Sequence, residues 1–91
     1  MSHFNLVLRR LRKTYVGKQL SLAASLGYTE AAISLWENGE RLPLRRTQAK
    51  IVECLRNAKA QSVELRALQD AYDLALLTRG HRSAAVWELR S

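Results

Sequence analysis

Ninety-one residues, 47% of them hydrophobic, allow one small domain with a modest core and leave too little chain for an elaborate enclosed active site. A single cysteine excludes an intrachain disulfide framework and a multi-cysteine metal cage, and fits a reducing cytoplasm. The net charge of +7 is concentrated: ten of the fifteen Lys/Arg and four of the eight Asp/Glu fall in residues 1–57, giving +6 there and +1 in residues 58–91.

A focused positive field points to an anionic polymer or surface as partner. A basic surface kept for solubility is the plain alternative. Arg9, Arg10, Arg12 and Lys13 crowd the first fifteen residues, with no apolar run that would make a signal peptide. Nothing approaches the ~18 consecutive apolar residues of a membrane span.

Hydrophobic spacing is helical along nearly the whole chain. Phe4, Leu8, Leu11 and Tyr15 line one face of a first helix over residues 3–14, and Gly17 breaks it. Leu20, Ala23, Ala24 and Leu26 mark a short second helix, ended by Gly27, where a left-handed residue costs least. Thr29 is placed to cap a third helix that runs to about Asn38, with Ala32, Ile33 and Trp36 turned inward and Gly39 as its stop.

Pro43 enforces an extended step before a fourth helix over 44–57, carried by Ile51, Val52, Cys54 and Leu55. Ser62 is placed to cap a fifth, over 63–78, with Gly80 beyond its end. Leu65, Leu68, Tyr72, Ala75 and Leu76 form one apolar stripe on it, and Ala67, Ala71, Leu74 and Leu77 a second. One stripe suffices to dock on a core; the second suggests that another chain covers the helix. The only strand-like pattern is "AAVWEL" near the end.

Two short helices joined by a tight glycine-containing turn make a helix-turn-helix. Ala23 sits where such helices cross, Gly27 makes the turn, and Ile33 and Trp36 anchor the second helix. "QLSLAASLGYTEAAISLWENGERLP", residues 19–43, resembles the helix-turn-helix of the Cro/C1 (Xre) repressor family. Gln19, Leu22, Ala23, Leu26, Gly27, Thr29, Ile33, Ser34, Trp36, Glu37, Gly39 and Pro43 fall on the family pattern, as does Arg12 in "LRRLRK". The likeness covers about residues 6–57.

That resemblance implies an all-α, five-helix lambda-repressor-like DNA-binding domain, residues 1–57, with a C-terminal helical extension, residues 58–91. It implies that Gln19 bonds a phosphate from a helix N-terminus. It implies that Arg12 and Glu37 form a partly buried ion pair; a solvated helix end is the plainer alternative for Glu37. Asn38, Arg41, Arg45 and Arg46 follow the third helix and are placed for backbone phosphates.

The family's docking sends the outward residues of the third helix to base edges. Here these are Glu30, Ala31, Ser34 and Leu35, just after Thr29, with Tyr28 at the margin. One departure concerns the second helix: the segment reads "YVGKQ", with Lys18 at the usual cap position, where its ammonium can meet a phosphate instead.

An ionised Glu30 accepts only, so it suits the cytosine amine, and the adenine amine less well. It also favours the positive end of its own helix dipole. Ala31 and Leu35 offer methyl groups to the thymine methyl, and Ser34 can serve either way. Such a helix gains little affinity from bases, so phosphates must supply it. Glu30 repels the DNA backbone wherever it lacks an amine partner.

The function implied is a transcriptional regulator, a repressor that binds a palindromic operator on double-stranded DNA as a homodimer, in the cytoplasm. Leu65, Leu68, Tyr72 and Leu76 are the candidate dimerisation residues. Trp87 is the reserve, as an anchor on a strand formed by "AAVWEL". The alternative is an antitoxin whose residues 58–91 bind a protein toxin. His3 and His81 lack a ligand partner at metal spacing, Cys54 suits a small core position, and Asp70 and Asp73 sit on an ordinary polar face. No enzyme, no cofactor, no metal and no sensor domain for a small-molecule inducer is expected.

Overall fold

The computed structural model describes residues 3–90, with residues 79–90 described as backbone only. The described chain is all-helical: α1 Phe4–Tyr15, α2 Gln19–Leu26, α3 Glu30–Glu37, α4 Arg45–Asn57 and α5 Ser62–Arg90.

In α1 the buried positions are Phe4, Val7, Leu8, Leu11 and Arg12, one stripe at helical spacing. They meet Leu22, Ala23 and Leu26 of α2, Ile33 and Trp36 of α3, and Ile51 and Leu55 of α4. Leu65, Leu68, Ala71 and Tyr72 of α5 close the core. Each large apolar side chain removed from water in this way stabilises the fold by roughly 1.5–3 kcal/mol. Cys54 is half-buried against the core, in keeping with a small packing residue.

Two turns set the site. At Gly27 the backbone is left-handed, with φ +74°. The Tyr28 N–H then closes back on the Ala23 carbonyl at 2.9 Å, which aims the chain into α3. Thr29 caps α3 as its position predicts: its hydroxyl accepts the Ala32 N–H at 3.2 Å. Tyr72 of α5 donates its hydroxyl to the Pro43 carbonyl at 2.6 Å and meets Phe4 edge-on, so α5 pins the linker between α3 and α4. Burial pushes the Tyr72 phenol above its ordinary pKa.

Several expectations are corrected. Leu20 and Ala24 do not face the core; Leu20 is 60% exposed, and Leu22 takes the inward position. Leu22, Ala23 and Leu26 share one face, and at 100° per residue Leu20 and Ala24 fall on the other side. Ser62 is the first residue of α5 rather than its cap, and the Glu64 carboxylate reaches back to the Gln61 N–H at 3.2 Å.

Helix α5 does not stop before Gly80, and "AAVWEL" is helix, not strand. A lone helical glycine costs only ~1 kcal/mol relative to alanine, and residues 81–90 contain no proline to break the helix. The alanines and leucine there are good helix formers.

Leu65, Leu68 and Tyr72 are consumed by the chain's own core, so these candidate dimerisation residues have no surface left for a second chain. Leu76 is half-buried against the same core. Of the second stripe Ala71 is buried, whereas Leu74 is 44% exposed and Leu77 75%; Val63, in the first turn of α5, is also exposed. The Trp87 and His81 side chains lie outside the described residues.

Candidate nucleic-acid interface

Helix α3 has only eight residues and holds its orientation through three separate attachments. The first is apolar: Ile33 and Trp36 are buried, and Tyr28 packs edge-on against Trp36 with ring centroids 5.4 Å apart. The second is the hydroxyl pair Tyr28 and Thr47, 2.6 Å apart, which joins the start of α3 to α4.

The third attachment is ionic. Glu37 has no exposed surface, and Arg12 meets it with two bonds, Nε to Oε2 and Nη2 to Oε1. Arg12 Nη1 also donates to the Gly17 carbonyl, so one side chain ties α1, the α1–α2 turn and α3 together. The expected pair is present and fully inside.

With Ile33, Trp36 and Glu37 inside, the opposite face of α3 must point out. Glu30 and Ala31 are exposed; Ser34 and Leu35, one turn on, are half-buried; Asn38 is exposed at the C-terminal end. These form a shallow ridge with one acid and no base. Lys18 just before α2, Arg41 in the link after α3, and Arg45 and Arg46 at the start of α4 are exposed. Leu44, the residue before α4, supplies no side-chain cap, so no side chain there competes for the leading amides beside Arg45 and Arg46.

Lys18 likewise gives α2 no side-chain cap, as its unusual place in the sequence suggests. Gln19 is placed differently from the expectation of a phosphate ligand. Its amide donates to Glu37 Oε1 at 3.1 Å and so belongs to the buried Arg12–Glu37 network. A role on phosphate would require its second amide hydrogen or a change of rotamer.

Arg9 was not singled out in the sequence. Its guanidinium donates to the Glu37 carbonyl at 3.3 Å and to Asn38 Oδ1 at 3.2 Å, at the end of the α3 ridge. The signal was its place one turn before Arg12, on the same side of α1. Thr47 was missed as well; nothing in the sequence marks it as the partner of Tyr28. Among the described residues no His/Cys/Asp/Glu group could hold a metal ion, and no helix is long and apolar enough to cross a membrane. His3 is exposed.

Comparison with protein-family models, with curated proteins and with solved structures gives no match.

Proposed function

We propose that the chain is a sequence-specific DNA-binding transcriptional regulator of the helix-turn-helix kind, with a lambda-repressor-like arrangement of its helices. In this proposal it binds a palindromic operator as a homodimer and represses by occupancy, without catalysis or a cofactor. The observation that carries it is the ridge of Glu30, Ala31, Ser34 and Leu35, turned outward on a helix whose inner face is fixed by Ile33, Trp36 and Glu37. A ridge of that size fits the major groove of B-DNA, which admits one helix. The exposed Lys18, Arg41, Arg45 and Arg46 supply phosphate contacts and most of the affinity.

One helix reads too few base pairs to find a site in a genome, so two copies are needed, with half-sites about one helical turn apart. The exposed Leu74 and Leu77 offer the apolar surface for pairing. The same two leucines support a second reading, an antitoxin that regulates its own operon and uses α5 to hold a toxin.

Selection of bound sites from random duplexes, run at two salt concentrations, tests the proposal. A palindromic site is expected, with affinity falling by a log–log slope of about 0.9 for each phosphate neutralised. Binding without sequence preference would contradict it. Light scattering of the free protein and of its complex tests the dimer.

A further inference from the structure

Three hydroxyls in this chain behave as helical hydroxyls usually do. Thr14, Ser25 and Thr78 return their hydrogen to the carbonyl one turn back, on Arg10, Ser21 and Leu74. Ser34 does not. Its Oγ accepts from Asn38 Nδ2 at 3.4 Å.

The direction of that bond is set from further away. Arg9 carries only donors, and its Nη2 lies 3.2 Å from Asn38 Oδ1. The oxygen end of the Asn38 amide must therefore face Arg9, and the nitrogen end must face Ser34. Arg9 is held in turn by the Glu37 carbonyl at 3.3 Å. One of the two lone pairs of Ser34 is thus occupied from the next turn of α3, while its second lone pair stays open and its hydrogen has no acceptor within the protein among the described residues.

We infer that Arg9 and Asn38 bias the hydrogen-bonding sense of Ser34 towards donation into the groove, favouring a keto-bearing base. The inference rests on the DNA-reading proposal and refines it at one position. In the major groove guanine and thymine present keto oxygens, O6 and O4, whereas cytosine presents only an amine. Adenine presents an amine beside its N7 acceptor and ranks between them. Glu30, one turn earlier, is acceptor-only when ionised, so the two side chains present opposite senses to neighbouring bases. Arg9 and Asn38 are positioning residues here, acting through Ser34.

The test is site selection with the full chain and three variants, each first confirmed as folded by circular dichroism and a cooperative melt. Wild type should prefer guanine or thymine over cytosine by about two- to tenfold at one position of each half-site. Ser34→Ala should flatten that position. Asn38→Asp should reverse it towards an amine, because a carboxylate takes the Ser34 hydrogen and leaves only lone pairs facing the groove. The added negative charge weakens every duplex alike and drops out of the relative profile. Arg9→Met should erode the preference without reversing it.

A Ser34→Ala profile that differs from wild type, with an Asn38→Asp profile that does not, would overturn the inference and leave the DNA-reading proposal standing. So would a Ser34→Ala profile identical to wild type. A wild-type protein that prefers no duplex would overturn both.

Discussion

Arg12 meets Glu37 edge to edge: Nε lies 2.5 Å from Oε2 and Nη2 lies 2.8 Å from Oε1, with the carboxylate wholly inside the protein. The pair spans 25 residues of sequence and joins the first helix to the end of the third. Because α3 is only two turns long, this joint is one of the three attachments that hold its outer ridge in one orientation.

Removing one partner strands the other in a poorly solvated place. Arg12→Met or Glu37→Leu alone should each cost about 3 kcal/mol or more in urea unfolding. The double variant should lose less than the two singles added together, since neither of the two buried charges is left facing an empty place. Strictly additive losses would show that the two groups do not act as a pair.

Much of this was legible beforehand, and the reasons differ by residue. The inward set of α3 follows from the 3.6-residue period, and the Thr29 cap and Gly27 turn follow from backbone chemistry. Leu20 misled because apolar character alone does not say which side of a short helix faces in; Leu22, Ala23 and Leu26 outvoted it. The stripe of Leu65, Leu68 and Tyr72 was visible, but periodicity cannot tell a face that docks on its own core from one that docks on a second chain. Only the fold assigns it inward and leaves Leu74 and Leu77 outside. The role of Arg9 was hidden because its partner Asn38 is 29 residues away.

Tyr15 and Glu64 join the end of α1 to the start of α5 through a phenol–carboxylate bond. That bond is the main reason the Glu64 carboxyl sits below its usual 4.5 and the Tyr15 phenol above its usual 10.0. A lowered carboxyl pKa contributes stability above the unfolded value, lost as pH falls from about 4.5 through the folded one. A raised phenol pKa contributes stability below about 10, lost as pH rises through the folded value. The urea midpoints of wild type and Tyr15→Phe should therefore differ at neutral pH and converge in acid. A gap that persists unchanged at pH 2 would mean that the contribution of the Tyr15 phenol does not depend on an ionised Glu64.

Glu30 is the one acid on the ridge, exposed in the first turn of α3. Glu30→Ala should weaken discrimination by ~1–3 kcal/mol at one base pair per half-site. Non-specific binding should hold or improve, because a repulsion from phosphates is removed. A competition assay with singly changed duplexes reads both quantities, and an unaltered specificity profile would remove Glu30 from base recognition.

Leu77 is three-quarters exposed on a helix whose other face is already packed. Leu77→Glu should lower the dimer fraction in light scattering while leaving the melting temperature of dilute protein nearly unchanged. Leu68→Ala should do the reverse: a core cavity costing about 2–5 kcal/mol, whatever the association state. If Leu77→Glu dimerises like wild type, α5 pairs through another surface or not at all.

The central claim is that the outward ridge of α3 lies in the major groove of DNA. Titrating the isotope-labelled protein with its selected duplex, and following backbone and methyl resonances at physiological ionic strength, tests it most directly. The largest changes are expected at Glu30, Ala31, Ser34 and Leu35, with smaller ones at Lys18, Arg45 and Arg46. Changes centred elsewhere, with that ridge unperturbed, would contradict the claim.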